Sequence, residues 1–274
     1  MSPDGVRIAV HALSENGPGL LLAHATGFHG RVWQPVADRL ADCFACLAPD
    51  LRGHGDSAPP AGLDFDWRSF AADVLAVVDG LGLPRPVAAG HSSGATALLL
   101  AEQARPGTFA ALYCFEPIVV PADPPLGRDA GSWLAQSTRR RRAEFPSRAQ
   151  ALRGYAAKPP LGDLHPSALR AYVDHGFADL PNGGVRLKCD PEHEALVYEM
   201  ATAHDCFVHL ARVHCPVTLV RGGRSEAFPA ARAAAVAARL PRVSTEAHPA
   251  LGHLGPLEDP QAVAASIRRA LDAG

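Results

Sequence analysis

Short apolar runs alternate with helix-like segments along most of the chain, and this alternation most constrains how the chain can fold. Each run is long enough for one buried strand, and each intervening segment places its apolar residues at helical spacing. The predicted strands lie at 6–13, 19–26, 44–50, 87–93, 111–116, 216–222 and 242–247. The predicted helices lie at 32–42, 67–83, 95–104, 229–240 and 259–273. Strands that alternate with helices form a mostly parallel sheet with helices on both faces, so we predict an α/β fold.

Residues 121–210 interrupt this alternation. They contain four helix candidates and no convincing buried strand. Ser147 and Gln150 have the spacing of a capping box, which predicts the start of one of these helices. We therefore predict a helical cap, or lid, at 121–210, inserted into a core formed by 1–120 and 211–274.

Composition limits the class of protein. The chain has 274 residues, 47% of them hydrophobic, which is enough for a large core. The formal net charge of −2 argues against nucleic acid or an anionic membrane as the main partner.

No apolar run reaches the roughly 18 residues of a membrane span, and MSPDGVRIAV lacks the pattern of a signal peptide. We expect a cytoplasmic protein with reduced cysteines. We expect no metal site, because Cys43-x-x-Cys46 has no second cysteine pair.

The sequence GHSSG at 90–94 fits the pattern G-x-S-x-G, with Ser92 at its centre. In this pattern the serine occupies a strained turn between a strand and a helix, and the glycines allow close backbone packing. VAA precedes the motif and ATALLLAEQA follows it, which is the required strand–turn–helix context. We interpret Ser92 as a nucleophile; the alternative is an ordinary β–α turn rich in small residues. Ser93 has a glycine on only one side, and its amide fits an oxyanion donor better.

A serine becomes a strong nucleophile only when a base removes its proton. We expect that base late in the chain, where HPALGHLGPLEDP at 248–260 contains two histidines. His253 lies in a glycine-flanked loop before the last predicted helix, and we favour it as the base. His248 is closer to the end of a strand, and we interpret it as structural.

An oxyanion that forms during attack on a carbonyl needs two N–H donors. The amide of Ser93, directly after the nucleophile, is one candidate. The other is the amide of Thr26, in the loop HATGFHG at 24–30. His24 and His29 could hold this loop through hydrogen bonds, and we interpret His29 as structural.

Five segments occur in order along the chain: LLAHATGFHGRVW, APDLRGHGDS, GHSSG, VTLVRGGRSE and GHLGPLEDP. Together they resemble the α/β-hydrolase fold family, serine-hydrolase branch, over about residues 5–120 and 210–273. The chain departs from the family at HATGF, where many members carry His-Gly at the first two positions. The resemblance implies the α/β-hydrolase fold and hydrolysis without a metal or an organic cofactor.

The resemblance also implies a carboxylate that orients the histidine and balances its charge. The family places this acid at one of two positions, and the sequence offers Glu116, in CFEP, and Glu226, in RGGRSEAFP. Glu226 matches the commoner position. We favour Glu116, because it ends an apolar strand beside the nucleophile strand. The alternative for Glu116 is a buried carboxylate paired with an arginine of the 139–142 run.

A second reason to favour Glu116 comes from the start of the predicted cap. The segment RRRRAEFPSRAQA at 139–151 resembles a subgroup that includes the fungal peroxisomal lipase and the acyl-CoA hydrolase of mycophenolate biosynthesis. The resemblance implies an acid on the earlier strand, because that acyl-CoA hydrolase takes its acid there.

The cap carries two features that bear on substrate. Arg139 to Arg142 are consecutive, and helical neighbours lie about 100° apart, so the four cannot share one face. A solvated surface is the simpler interpretation; the alternative is contact with the phosphate of a coenzyme A thioester. Trp133, Tyr155 and Tyr172 are candidates for the wall of an apolar acyl pocket; the alternative is that they pack the cap onto the core.

These features predict a serine hydrolase of the esterase or thioesterase type, which cleaves a carboxylic ester or thioester through an acyl-enzyme. The expected partner is a small-molecule substrate with an apolar acyl part, and a homodimer is left open. One alternative is a C–C bond hydrolase or cofactor-free perhydrolase that uses the same residues. An alternative of another class is a catalytically inactive ligand-binding protein with this fold.

Overall fold

The computed structural model describes residues 1–271 and contains, in that range, a seven-stranded central sheet and a separate three-stranded sheet. The strands are β1 (Val10–Ala12), β2 (Gly19–Ala23), β3 (Ala45–Pro49), β4 (Val87–His91), β5 (Leu112–Phe115), β6 (Glu144–Phe145), β7 (Phe177–Asp179), β8 (Val185–Leu187), β9 (Val217–Gly222) and β10 (Val243–His248). The central sheet has the order β1-β3-β2-β4-β5-β9-β10. Only β1 runs antiparallel to its neighbour in this sheet. The predicted α/β fold with a mostly parallel sheet is confirmed.

Helices connect the strands. They are α1 (Gln34–Ala37), α2 (Trp67–Gly80), α3 (Ser93–Ala104), α4 (Trp133–Arg139), α5 (Arg148–Ala156), α6 (Pro166–Gly176), α7 (Pro191–Glu199), α8 (Ala230–Ala237), α9 (Gly255–Glu258) and α10 (Pro260–Leu271). Short 3₁₀ helices lie at Gly30–Trp33, Ala61–Leu63, Leu161–Asp163 and Leu210–Arg212. The predicted helix at 259–273 is observed as α10, and its last two predicted residues lie outside the described range.

Both faces of the central sheet are buried. Leu20 and Leu22 of β2 belong to one hydrophobic cluster, which also contains Ile267 of α10. Leu21 of β2 points to the other face and belongs to a second cluster, which contains Val74 of α2. Successive side chains of a strand point to opposite faces, so a sheet covered on both sides needs continuous apolar runs. This requirement explains why the strands read as unbroken apolar segments in the sequence.

Two predicted elements differ most from the observed ones. The strand predicted at 6–13 is observed only at Val10–Ala12, where it pairs with β3 at the edge of the sheet. The helix predicted at 32–42 is split into the 3₁₀ helix Gly30–Trp33 and the single turn α1. The apolar spacing of this second segment is real, because Val32 and Val36 are both buried. The spacing does not by itself set the length of the helix.

Residues 121–210 contain four α-helices, α4 to α7, as the sequence predicts. Ser147 caps α5, since its hydroxyl accepts a hydrogen bond from the amide of Gln150 at 3.2 Å. The prediction that this region lacks a buried strand is wrong. Strands β6, β8 and β7 form an antiparallel sheet, and Val185 and Leu187 of β8 are buried. These strands have two or three residues each, which is too short for a period of two to be recognised.

The region 121–210 contacts the rest of the chain through shared apolar clusters and through hydrogen bonds. Trp67 in α2 donates a hydrogen bond to the carbonyl of Val197 in α7, at 3.1 Å. The amide of His165 donates to the carbonyl of Leu257 at 2.8 Å. The division into a core and an inserted cap at 121–210 stays a prediction. For residues 1–271, no helix combines the length and apolar character needed to cross a bilayer.

Candidate active site

Ser92 lies on a sharp turn between β4 and α3. Its φ of 54° and ψ of −119° are unusual for a residue with a side chain, so the turn is strained. A Cβ atom on Gly90 would lie 2.6 Å from the backbone of Ala95, and one on Gly94 would collide with the backbone of β2 at Ala23. Only glycine fits these two positions, which accounts for the G-x-S-x-G spacing.

His253 bridges two of the predicted site residues. Its Nε2 lies 3.1 Å from the Oγ of Ser92, and its Nδ1 lies 2.7 Å from Oε2 of Glu116. A carboxylate accepts hydrogen bonds, so Nδ1 carries the proton and the neutral Nε2 can accept the Ser92 proton. The imidazole side chain is 30% exposed, which leaves the site open to solvent on this side.

Glu116 is fully buried directly after β5. The amide of Gly222 donates to Oε1 at 2.7 Å, and the hydroxyl of Ser225 donates to Oε2 at 2.6 Å. Together with His253, these donors compensate a carboxylate that would otherwise be costly to bury. Glu116 has a φ of 46°, so its backbone, like that of Ser92, lies in the left-handed region that glycine prefers.

Glu226, the alternative acid, is exposed. Within residues 1–271, His253 has one carboxylate partner, Glu116, and Glu226 forms no ion pair. The alternative partner predicted for Glu116, an arginine of the 139–142 run, is also not observed in that range. The structure therefore brings together Ser92, His253 and Glu116 and leaves Glu226 outside the group.

The predicted oxyanion donors, Thr26 and Ser93, lie beside each other. The hydroxyl of Thr26 donates to the Oγ of Ser93 at 3.0 Å, so the β2 loop is joined to the start of α3. Neither backbone amide donates a hydrogen bond to any described residue. Both residues are buried, and a buried N–H without a partner is rare unless a ligand or water completes it.

The loop at 24–30 is held by Asp50, which the sequence interpretation missed. Oδ1 of Asp50 accepts from the amide of Gly30 at 2.6 Å, and Oδ2 lies 2.9 Å from Nε2 of His11. Burial raises the pKa of the Asp50 carboxyl, but the hydrogen bonds from His11 and from the amide of Asp56 outweigh this effect and lower it. His24 fastens the same loop, since its Nε2 accepts from the amide of Leu51 at 2.8 Å.

His11, Asp50 and Asp56 are the one group of possible metal ligands among the described residues. The oxygens of Asp50 already accept from the amides of Gly30 and Asp56 and contact His11. The Asp50 oxygens therefore already have hydrogen-bond partners within the protein, and the group holds the loop in place without needing a cation.

His91, the residue before Ser92, makes a second contact that the sequence did not reveal. Its Nε2 donates to the carbonyl of His253 at 2.7 Å, and the two rings lie 5.1 Å apart. Burial holds the pKa of His91 well below its usual value, so the ring stays neutral. His91 fixes the loop that carries His253. His248, by contrast, contacts Glu246 at 3.2 Å and lies outside the group, as expected for a structural residue.

The three aromatic residues proposed for an acyl pocket have different environments. Trp133 is 74% exposed on α4, so it does not pack the cap onto the core, and its assignment to a pocket wall stays a prediction. Ala135 and Thr138 form the buried face of α4. Tyr155 and Tyr172 pack against each other with ring centroids 5.7 Å apart. Tyr172 is 2% exposed and stacks on His29 of the loop at 24–30.

The arginine run lies mostly outside a helix, and two of its members, Arg140 and Arg142, are exposed, as expected for a partly solvated surface. Only Arg139 belongs to α4, and it forms ion pairs with Glu192 and Glu199, each at 2.7 Å. Arg141 pairs with Glu194. Arg142 lies over the ring of Phe145. Arg140 is exposed and forms no ion pair with residues 1–271. Three of the four arginines therefore have specific partners.

Comparison with known proteins gives the family. Residues 20–266 match the sequence profile of the alpha/beta hydrolase family. The peroxisomal alpha-beta-hydrolase of Saccharomyces cerevisiae superposes with a TM-score of 0.81 at 22% identity, covering 96% of this chain and 80% of that one.

Curated relatives match over shorter segments. Epoxide hydrolase A of Mycobacterium tuberculosis is 36% identical over 95 residues, 34% of this chain and 30% of that protein. The pimeloyl-[acyl-carrier protein] methyl ester esterase of Methylococcus capsulatus is 37% identical over 100 residues, 36% of this chain and 37% of that protein. The matched segments thus span about a third of each of these two relatives. The profile match extends over most of the chain, and the protein belongs to the alpha/beta hydrolase family.

Proposed function

We propose that the protein is a serine hydrolase that cleaves a carboxylic ester or thioester through an acyl-enzyme. Ser92 is the nucleophile, His253 is the general base and then the general acid, and Glu116 orients His253. The amides of Thr26 and Ser93 stabilise the oxyanion. The proposed partner is a small-molecule substrate; a cytoplasmic location and the oligomeric state stay predictions.

The observation that carries the proposal is the position of the His253 ring. Its two nitrogens lie 3.1 Å from Ser92 Oγ and 2.7 Å from Glu116 Oε2. Such a chain lets the imidazole take the hydroxyl proton while the carboxylate stabilises the charge that develops. The strained turn at Ser92 supports the same role, because backbone strain of this kind concentrates at functional sites.

The relatives include an epoxide hydrolase and an esterase, so the type of bond must be argued from this chain. Attack on a carbonyl carbon produces a tetrahedral oxyanion, whereas attack on the saturated carbon of an epoxide opens the ring without forming one. Two buried amides without protein acceptors are suited to the first reaction, since they can donate to the oxyanion as its charge forms. A hydroxyl nucleophile beside these donors favours acyl transfer.

The proposed reaction has two halves. Ser92 Oγ attacks the carbonyl carbon as its proton moves to Nε2 of His253, and the collapse of the intermediate releases the alcohol or thiol, which takes that proton. Water then attacks the acyl-enzyme with His253 again as base, and the second collapse returns the proton to Ser92 and releases the acid.

Replacement of Ser92 by alanine tests the proposal. We expect Ser92→Ala to lower kcat for p-nitrophenyl esters by at least about 10⁴-fold, as for other serine hydrolases that lose a triad member. Ser69→Ala removes a hydroxyl from α2 and serves as the matched control, with turnover near that of the wild type. Unchanged turnover in Ser92→Ala would rule out the proposed nucleophile.

A further inference from the structure

Arg141 is the arginine of the run whose partners lie beside the loop at 24–30, called the oxyanion loop below because it carries Thr26. Its Nη1 donates to Oε2 of Glu194, and its Nη2 donates to the hydroxyl of Tyr172 at 2.7 Å. Glu194 is 4% exposed and Tyr172 is 2% exposed. Arg141 itself keeps 24% of its side-chain surface accessible. The result is a largely buried polar cluster with one partly accessible guanidinium.

This cluster touches the oxyanion loop directly. Gly27 follows Thr26 with a φ of 81°, and a Cβ atom added to it would collide with Oε1 of Glu194. The ring of Tyr172 lies 5.3 Å from that of Phe28. The guanidinium of Arg141 is therefore within roughly 12 Å of the Thr26 Cα atom, given that consecutive Cα atoms lie about 3.8 Å apart. Arg141 thus lies on the side of the structure that carries Thr26, one of the two proposed oxyanion donors.

The hydrogen bonds of Arg141 are incomplete. Arginine has five N–H donors, and its side chain makes two hydrogen bonds in the described chain, one to Glu194 and one to Tyr172. The other donors need acceptors, because polar groups in a partly dry site are costly when unpaired. Water can supply these acceptors in the free protein. An anionic oxygen of a bound substrate is the stronger acceptor, since a charged pair shortens and strengthens the bond.

We propose that Arg141 binds a carboxylate that the substrate carries a few bonds from its scissile carbonyl. The inference rests on the proposed function, because it assigns a substrate class to the same site. Phosphates of a coenzyme A thioester suit this position less well, since the whole pantetheine arm separates them from the thioester carbonyl. The planar fork of arginine also matches a carboxylate with two parallel bonds.

Burial raises the pKa of the Glu194 carboxyl, while Arg141 opposes that rise. A substrate carboxylate beside Glu194 is therefore unfavourable unless Arg141 donates hydrogen bonds to both carboxylates. Two tyrosines stabilise this pair. The Tyr198 hydroxyl donates a hydrogen bond to Glu194, and the Tyr172 hydroxyl accepts one from Arg141. Glu194 thereby holds the guanidinium in place and leaves its remaining donors for the substrate.

The first test compares two esters of equal acyl length, mono-p-nitrophenyl glutarate and p-nitrophenyl pentanoate. We expect Arg141→Gln to lower kcat/KM for the glutarate ester at least tenfold more than for the pentanoate ester, mainly through KM. Arg140→Gln removes an exposed arginine and should change both esters equally. An equal loss for the two esters in Arg141→Gln would overturn the proposal, as would a wild-type protein that favours pentanoate tenfold.

Arg141→Gln leaves the buried Glu194 without its cation, so the fold itself could suffer. The double variant Arg141→Gln with Glu194→Gln removes both charges and keeps the side-chain volumes. We expect this variant also to lose the preference for the glutarate ester. If the folded double variant keeps the preference, Arg141 does not supply it.

A binding measurement separates this inference from the catalytic proposal. Calorimetry with Ser92→Ala protein should detect glutarate, and the added Arg141→Gln change should weaken that binding at least tenfold. Inorganic phosphate is the comparison ligand, and tighter binding of phosphate than of glutarate contradicts the carboxylate assignment. Turnover that persists in Ser92→Ala would refute the catalytic proposal but leave this binding result standing.

Discussion

The hydroxyl of Ser225 donates a hydrogen bond to Oε2 of Glu116 at 2.6 Å, the same oxygen that lies 2.7 Å from Nδ1 of His253. Ser225 follows β9, Glu116 follows β5, and His253 follows β10. Three neighbouring parallel strands thus deliver one acid, its hydroxyl donor and its histidine partner to the same edge of the sheet. The loop that carries the exposed Glu226 therefore contributes to the site through the residue before it.

Removal of the Ser225 hydroxyl should slow catalysis without weakening substrate binding. We expect Ser225→Ala to lower kcat about tenfold with little change in KM, because a hydrogen bond to a charged group contributes roughly 1.5–3 kcal/mol. Ser225→Thr keeps the hydroxyl and should restore most of the rate. A variant in which kcat is unchanged, or in which Thr restores nothing, would show that Ser225 does not position Glu116.

The two candidate acids can be separated by matched amide substitutions. Glu116→Gln should lower kcat by about 10³- to 10⁴-fold, since an amide cannot hold the histidine in the required tautomer. Glu226→Gln changes an exposed residue and should leave kcat within about twofold, as surface substitutions usually do. The reverse pattern would assign the acid to Glu226.

Gly27 provides a test of the contact between the oxyanion loop and Glu194. Gly27→Ala adds a Cβ at a φ of 81° and into the Glu194 carboxylate, whereas Gly107→Ala adds one at a φ of 85° with nothing within 4 Å. Both changes place a side chain on left-handed backbone, which destabilises the fold by about 1–2 kcal/mol. We expect Gly27→Ala to lose about 2 kcal/mol more in urea unfolding and to lose turnover as well. Equal stability losses would contradict the contact.

Buried neutral histidines should make the fold sensitive to acid. Burial lowers the pKa of His54 to about 4, below the usual 6.5, so the unfolded chain binds the proton first as pH falls. The free energy of unfolding should therefore fall between about pH 6.5 and pH 4, at up to about 1.4 kcal/mol per pH unit for this group. His54→Gln should flatten that slope, measured by urea unfolding across the range. His214→Gln, at an exposed position, is the control, and an unchanged slope in His54→Gln would contradict the prediction.

Much of the fold could be predicted because the parallel sheet leaves a local pattern. A strand such as β5 is buried on both faces, so it appears as an apolar run bounded by turns. The three-stranded sheet of β6 to β8 leaves no such pattern, since Glu144–Phe145 has two residues and exposes one of them. Its strands form through pairing with each other, which the sequence around each strand does not encode.

Local sequence also predicted the parts of the site that rest on backbone shape. Gly90 and Gly94 mark the turn at Ser92 because no other residue fits there. Ser225 and His91 could not be assigned from the sequence, since their roles depend on which strands are neighbours and how the loops meet. The environment of Trp133 could not be predicted either, because an aromatic residue in a helix can face either solvent or core.

The central claim is that Ser92 becomes acylated during turnover. The most direct measurement is mass spectrometry of the protein quenched during the pre-steady-state burst with a p-nitrophenyl ester, followed by mapping of the acyl group. The account predicts one acyl group on the peptide that contains Ser92, absent in Ser92→Ala. Acylation of another residue, or p-nitrophenol release at the wild-type rate from Ser92→Ala, would contradict it.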